Sequence, residues 1–214
     1  MKASRLSQKL HKWLGLIVGL QLLVWAVSGF YMVLMDIDMI HGDHLVAASD
    51  NTFATSRPMQ ESLITIARAH PNATSITLTR LMGKPSILVK QPYQTKVFDA
   101  ISAQPLPAVN KQQAQQLARS YYAGDSAIAT TTLLSHNPPR EIGGRALPLW
   151  RVDFDDLWGS TFYISPVTGA LETWRHTLWR VFDFVWMLHI MDYQERENVN
   201  NKILRSVSFL ALLL

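Results

Sequence analysis

Residues 14–35 read LGLIVGLQLLVWAVSGFYMVLM, a stretch of 22 residues without a charged side chain. Only Gln21 and Ser28 within it are appreciably polar. An α-helix rises about 1.5 Å per residue, so this stretch would extend about 33 Å and cover a hydrocarbon core of about 30 Å. The sequence therefore predicts a transmembrane helix over residues 14–35.

Charges on either side of this helix predict its orientation. Four basic residues precede it and three acidic residues follow it: Lys2, Arg5, Lys9 and Lys12, then Asp36, Asp38 and Asp43. The positive-inside rule places residues 1–13, a basic leader, in the cytoplasm. We therefore expect a protein of the cytoplasmic (inner) membrane whose linker, residues 36–56, and main domain lie in the periplasm.

A cleaved signal peptide is the alternative interpretation of the N-terminus. Its apolar region would be about 7–15 residues long, with small residues at a cleavage site directly after it. Here the apolar run is longer, and the nearest such site, Val46-Ala47-Ala48, lies well past its end. We therefore favour an uncleaved anchor.

Composition excludes several classes of site. The chain of 214 residues has no cysteine, which removes disulfides, iron–sulfur clusters and thiolate zinc sites. Its net charge of +4 would suit nucleic acid, but the clearest basic cluster flanks an apolar helix and signals topology, so we expect no nucleic-acid partner. No GxSxG, HExxH or Walker motif is present, and we predict no catalytic residue.

One face of the predicted helix carries small residues at spacings of three or four. This stripe consists of His11, Gly15, Gly19, Leu22, Ala26 and Gly29. Gly15 and Gly19 form a GxxxG motif, which lets another surface approach the backbone closely. Two interpretations stay open: packing against another helix, or a smooth face for a porphyrin with His11 as an axial ligand.

From residue 57 onward the pattern changes to short elements that occur twice in the same order. Helical periodicity is followed each time by strand-like runs. The helices are predicted at 59–70 and 111–122, and the strands at 75–81, 86–90 and 95–100, then at 129–134, 149–154 and 161–165. Residues 135–146, rich in proline, glycine and charge, form an insertion in the second copy.

These elements predict an α+β membrane protein with two repeats, at 57–108 and 109–173. Each repeat would contain one helix and a three-stranded antiparallel sheet. A single unit of this size would be marginally stable, so we expect the two to pack together, with helices covering one face of an antiparallel sheet.

The C-terminal part begins with an aromatic-rich segment of helical period at 174–193. Arg180, Asp183 and His189 lie inside it, and a charge costs about 2.5–3.5 kcal/mol at mid-bilayer. We therefore expect residues 174–202 to form an amphipathic helix at the membrane interface and a linker. Residues 203–214 are apolar but too short to span, and we interpret them as the start of a second transmembrane helix in a fragment of a longer protein.

Three segments of this chain resemble one known family. LHKWLGL at 10–16, running to Ser28-Gly29, is similar to the first helix of PepSY-associated transmembrane proteins. WMLHIMDY at 186–193 resembles the segment before that family's second membrane helix, and YISPVTGAL at 163–171 resembles the end of a PepSY repeat. The first copy has Ala103 where the repeat usually has glycine. The resemblance implies tandem PepSY-like repeats outside the membrane.

The same resemblance implies further parts and a function. It implies further transmembrane helices or a membrane partner, and a cytoplasmic flavin reductase domain. Membrane-bound reductases that resemble this family include some that act on ferric siderophores outside the cytoplasm.

Two histidines are the candidate cofactor-binding residues, His11 on the glycine face and His189 on an aromatic face. An imidazole among Phe182, Val185 and Trp186 needs a partner, and haem iron is one. In the predicted topology the two histidines lie about 30 Å apart and cannot bind one haem. Either each has a partner on another helix, or the helix at 174–193 inserts more deeply. His41 and His44 are weaker candidates for a metal site, with a solvated turn as the alternative, so the metal ligands stay open.

The leading hypothesis is transmembrane electron transfer by a part of a reductase that carries haem b. The alternative is a non-catalytic extracytoplasmic module that inhibits a peptidase or senses the envelope. That alternative uses the sheet surface and needs no histidine.

Overall fold

The computed structural model describes residues 2–47 and 54–213, which form an α+β protein. Residues 48–53 of the predicted linker, Met1, Leu214 and the side chains of Lys2, Ala3, Ser4 and Leu6 lie outside the described part. The helices are α1 Lys2–Leu34, α2 Ile37–His41, α3 Arg57–Ala69, α4 Lys111–Tyr121, α5 Thr177–Ile190 and α6 Lys202–Leu213. The strands are β1 Ser75–Leu81, β2 Lys84–Gln91, β3 Gln94–Asp99, β4 Ile128–Leu134, β5 Leu149–Phe154, β6 Thr161–Ile164 and β7 Leu171–Arg175.

Two compact units make up the chain. The helical unit contains the residues up to His41 and those from Thr177 onward. The sheet unit is the continuous segment Gly42–His176.

In the helical unit, α1 contains the predicted membrane stretch. Over Ser7–Leu34 it is long and apolar enough to cross a membrane, and it is the one such helix in the described part of the chain. Helix α5 runs back along α1, because the ring of Phe182 lies 6.5 Å from that of Tyr31 while His189, seven positions later, contacts Ser28. The end of α5 therefore lies beside the apolar stretch of α1.

The first half of the sheet unit joins α3 to an antiparallel sheet of order β1-β2-β3. Strand alternation puts Ile87 and Val89 on one face, where both are fully buried. Met59 and Ile66 of α3 pack on that face in the same cluster. This half confirms the predicted helix and three-stranded antiparallel sheet.

The second half differs from the prediction, because its sheet has four strands in the order β4-β5-β6-β7. The sequence placed Trp174 and Arg175 at the start of a helix, but they end β7. Trp174 pairs with Phe162 and Arg175 with Thr161 of β6, and α5 begins only at Thr177. Trp174 has the helical spacing of the aromatic residues after it, but backbone pairing with the buried strand β6 makes it part of a strand.

The prediction of one sheet under a helical layer is also corrected, because the sheet unit contains two sheets that share a core. Leu81 and Val97 of the first sheet cluster with Phe154 and Phe162 of the second and with Leu117 of α4. Burial of apolar side chains from both halves in one cluster stabilises the pair as a unit.

Candidate functional site

His189, near the end of α5, makes a polar side-chain contact with α1. Its Nδ1 lies 2.8 Å from the Oγ of Ser28 on α1. Ser28 is only 4% exposed and lies within the apolar stretch of α1. The contact therefore joins the two polar side chains that the two helices bring face to face.

The hydrogen bonds of the Ser28 hydroxyl indicate which ring nitrogen of His189 carries the proton. Ser28 Oγ lies 2.6 Å from the carbonyl oxygen of Val24, and a serine in a helix donates its hydroxyl hydrogen to the carbonyl four residues earlier. Since a hydroxyl has one hydrogen, we infer that Ser28 accepts from His189, which assigns the proton to Nδ1. In a neutral imidazole, Nε2 then has the free lone pair, which is the form that binds metal.

Two further residues of α1 contact His189, one at its backbone and one at its imidazole. The indole Nε1 of Trp25 donates to the carbonyl oxygen of His189 at 2.8 Å, which satisfies one of the last-turn carbonyls of α5. A Cβ atom added at Gly29 would lie 3.5 Å from Cε1 of His189. Gly29 therefore leaves the space that the imidazole occupies.

A structured loop follows α5 and fixes its end. The carboxylate of Asp192 accepts four backbone N–H bonds at 3.0–3.2 Å, from Gln194, Glu195, Glu197 and Asn198. The N–H of Asn198, with those of the other three, lowers the pKa of Asp192. The loop also carries Arg196, which pairs with Asp183 of α5.

Asn201 joins the end of α5 to the start of α6. Its Nδ2 donates to the carbonyl oxygen of Ile190 at 2.7 Å, and its Oδ1 accepts from the N–H of Leu204 at 2.9 Å. The second contact is a helix N-cap. The loop and Asn201 together hold the last turn of α5, where His189 lies.

The structure does not bring His11 to His189. His11 is exposed and precedes Ser28 by 17 positions in α1, which is about 25 Å along the helix. A Cβ atom at Gly15 or Gly19 would meet nothing within 4 Å, and Ala26 is exposed. Of the predicted glycine stripe, Gly29 alone lies against the imidazole of His189.

His44 lies in the sheet unit in an aromatic cluster. Its ring centroid is 5.6 Å from Trp158 and 6.2 Å from His176, which is fully buried. No three His, Asp or Glu side chains converge as metal ligands within residues 2–47 and 54–213. The geometry of this cluster is that of edge-on aromatic packing.

Sequence reasoning selected His189 as a candidate but did not predict its partners Ser28 and Trp25. The available signal was Ser28 itself, one of two polar residues in the apolar stretch, because a polar group inside a membrane span needs a partner. The identity of that partner depends on how α1 packs against α5, and these two helices are far apart in the chain.

No family model, curated protein or solved structure matches this chain. Its class is therefore defined by fold and site. It is an α+β protein with an N-terminal helix long and apolar enough to span a membrane, and a histidine bonded to a serine of that helix.

Proposed function

We propose that this chain is an inner-membrane protein of the PepSY type that takes part in transmembrane electron transfer. In this proposal His189 is an axial ligand of a haem b in a reductase of the ferric-siderophore type. The observation that carries the proposal is the Ser28–His189 contact, which leaves Nε2 of His189 free to bind iron.

Exposed side chains of α1 support the membrane location. Leu16, Leu20 and Phe30 are 62–66% exposed, and they belong to a long run of exposed large apolar residues on this helix. Such a continuous apolar surface is unfavourable in water and favourable in lipid. The basic residues before the helix support an orientation with its N-terminus in the cytoplasm and the sheet unit in the periplasm.

The residues around His189 fit a haem ligand. Ser28 holds the imidazole and Trp25 holds the backbone carbonyl of His189, while Nε2 has no hydrogen-bond partner in the described part of the chain. Haem iron, when bound, would accept and donate single electrons. Since His11 is about 25 Å away along α1, any second residue that holds the haem would come from another helix or a membrane partner.

His11 would serve a separate centre near the cytoplasmic end of α1. Gly15 and Gly19 on the same face present an open backbone surface against which a porphyrin or another helix packs. Two centres near opposite ends of one helix would carry electrons across the bilayer from a cytoplasmic flavin reductase domain.

The haem assignment is tested with membranes from cells that express the chain with added δ-aminolevulinic acid. We expect a Soret band that His189→Ala abolishes or reduces to the contribution of a His11 centre. His136→Ala is the matched control, because His136 is an exposed loop histidine of the sheet unit. A Soret band unchanged by His189→Ala contradicts the assignment, and membranes without any band favour the binding or regulatory module instead.

The topology is tested by cysteine labelling, for which the cysteine-free chain provides a silent background. Tyr93→Cys puts a thiol at a fully exposed position of the sheet unit, and Lys12→Cys puts one before the apolar stretch. A membrane-impermeant maleimide should label the first variant in intact spheroplasts and the second only after lysis. The reverse pattern would overturn the orientation.

A further inference from the structure

A cleft of about 830 Å³ lies within the sheet unit, between the first sheet and loops of the second half. Its volume falls in the range of about 300–1,000 Å³ that is typical of ligand sites. Thr79, Lys90 and Thr95 line it from the first sheet, and Pro148, Thr168 and Glu172 line it from the second half.

The strand register explains why this cleft is polar. Lys90 pairs with Ser75 of β1 and with Thr95 of β3, so these side chains share one face of the sheet. The same face carries Leu81 and Val97, which are buried in the common core. One end of the face is thus covered, and the other end forms the floor of the cleft with its hydroxyl groups and Lys90.

The charge of the cleft favours an anionic ligand. Lys90 lies on the sheet face that forms the floor of the cleft, and Glu172 of the second half is the one acidic residue among the described lining residues. The ammonium of Lys90 makes no ion pair or hydrogen bond within the described part of the chain. A carboxylate in the cleft could therefore form an ion pair with the ammonium of Lys90.

An exposed strand edge next to the cleft favours a peptide. β1 is the edge strand of its sheet, and Thr79 and Arg80 belong both to β1 and to the cleft lining. β1 contains no proline and one charged residue, so it lacks most of the features that protect edge strands from pairing. An extended peptide can add to such an edge through its backbone.

Tyr93 offers an anchor at the rim. It lies in the turn between β2 and β3 and is fully exposed, which is unusual for a large aromatic side chain. Gln94 Nε2 donates to Gln91 Oε1 at 3.0 Å across the base of this turn and so holds it in place. Exposed tyrosines on a fixed turn supply contact area at low entropic cost.

From these observations we propose that the cleft binds an extended peptide that carries carboxylates, by strand addition to the free edge of β1. Lys90 takes a carboxylate of the peptide, and Tyr93 packs on it at the rim. This inference is independent of haem binding and adds a recognition site outside the helical unit.

The test uses two fluorescein-labelled heptapeptides, one alternating Val and Glu and the other alternating Val and Lys. Fluorescence anisotropy with the full chain in detergent should show binding of the Val/Glu peptide and about tenfold or weaker binding of the Val/Lys peptide. Lys90→Glu should reverse this preference. Lys96→Glu is the matched control, since Lys96 is exposed on the opposite face of the same sheet and should leave the preference unchanged.

Two additions keep the test decisive. Tyr93→Ala, at a fully exposed position, should weaken Val/Glu binding about tenfold even if Lys90→Glu proves unstable. Methylating alternate backbone nitrogens of the peptide should abolish binding in one register and spare it in the other. Binding of neither heptapeptide, or equal binding of both, would overturn the proposal.

Discussion

The imidazole of His176 lies directly against the backbone of Gly42. These two residues are the last and the first of the sheet unit. A Cβ atom added at Gly42 would come within 2.8 Å of Cδ2 and 2.9 Å of Nε2 of His176. The indole Nε1 of Trp174 donates to the carbonyl oxygen of Gly42 at 3.2 Å. The first and last residues of this unit are thus held together by a contact that requires glycine.

Gly42→Ala should therefore destabilise the sheet unit. Gly42 has a φ of +74°, where a non-glycine residue costs about 1–2 kcal/mol, and the overlap with His176 adds to that cost. Gly83→Ala is the matched control, because Gly83 has a φ of +77° but open space around its Cβ position. Urea unfolding followed by tryptophan fluorescence should show a larger loss for Gly42→Ala, and equal losses would exclude a role for the contact.

Much of the sheet unit was predictable from local patterns. The observed bounds of β1 and β5 match the predicted ones. Apolar residues alternate within each strand, and turn residues mark both of its ends. Helix α4 starts at Lys111 because Asn110 caps it, with reciprocal 2.9 Å bonds between Asn110 and Gln113.

Long-range contacts were the part that patterns could not supply. β7 was missed because its five residues become a strand only through pairing with β6. The Ser28–His189 bond joins residues 161 positions apart, and no local pattern encodes which polar residue of α1 faces α5. The predicted role of His189 follows from its own surroundings and stays a prediction until haem is measured.

Asp153→Asn should lower the stability of the sheet unit in a pH-dependent way. Partial burial raises the pKa of Asp153, but hydrogen bonds from Thr130, Thr161 and Arg151 outweigh it, so the pKa lies below its usual range. A lowered pKa stabilises the fold above the unfolded value of about 3.9, and this contribution is lost as the pH falls through the folded value.

Urea unfolding at pH 7 and below pH 4 checks this expectation. The difference between the parent chain and Asp153→Asn should be largest at pH 7 and should shrink below about pH 4. Asp155→Asn provides the control, since Asp155 is exposed on the same strand end and should change little at either pH. A difference that grows in acid would rule out the hydrogen-bonded carboxylate as its cause.

Asn201→Ala should loosen the start of α6. It removes the bond to the N–H of Leu204, and loss of an asparagine N-cap costs about 1 kcal/mol. Amides in the first turn of α6 should then exchange with solvent about fivefold faster by hydrogen-exchange mass spectrometry. Asn200→Ala, one position earlier at an exposed side chain, should leave the exchange unchanged, and matching rates in the two variants would show that Asn201 is not the cap.

Gly29→Leu should displace the imidazole of His189. The Cβ position at Gly29 is 3.5 Å from Cε1, which is ordinary contact, so Gly29→Ala should be tolerated while the longer leucine side chain overlaps the ring. If His189 binds haem as proposed, the expected result is loss of the His189-dependent part of the Soret band in Gly29→Leu only. Val33→Leu, at an 84% exposed position of the same helix, controls for added bulk, and a band that survives in Gly29→Leu would place the haem elsewhere.

If His189 binds haem as proposed, Ser28→Ala should weaken haem binding without removing the proposed ligand. Alanine cannot accept the hydrogen bond from Nδ1, and loss of such an outer-shell partner costs about 10–100-fold in metal affinity. The imidazole would also lose the bond that fixes its tautomer, so the reduction potential of the haem should shift in the fraction that remains bound. Ser28→Thr keeps a hydroxyl at this position and should restore both affinity and potential. If Ser28→Thr and Ser28→Ala behave alike in haem titration and redox titration, the hydroxyl does not orient His189 and the assignment of Nε2 as the iron ligand loses its support.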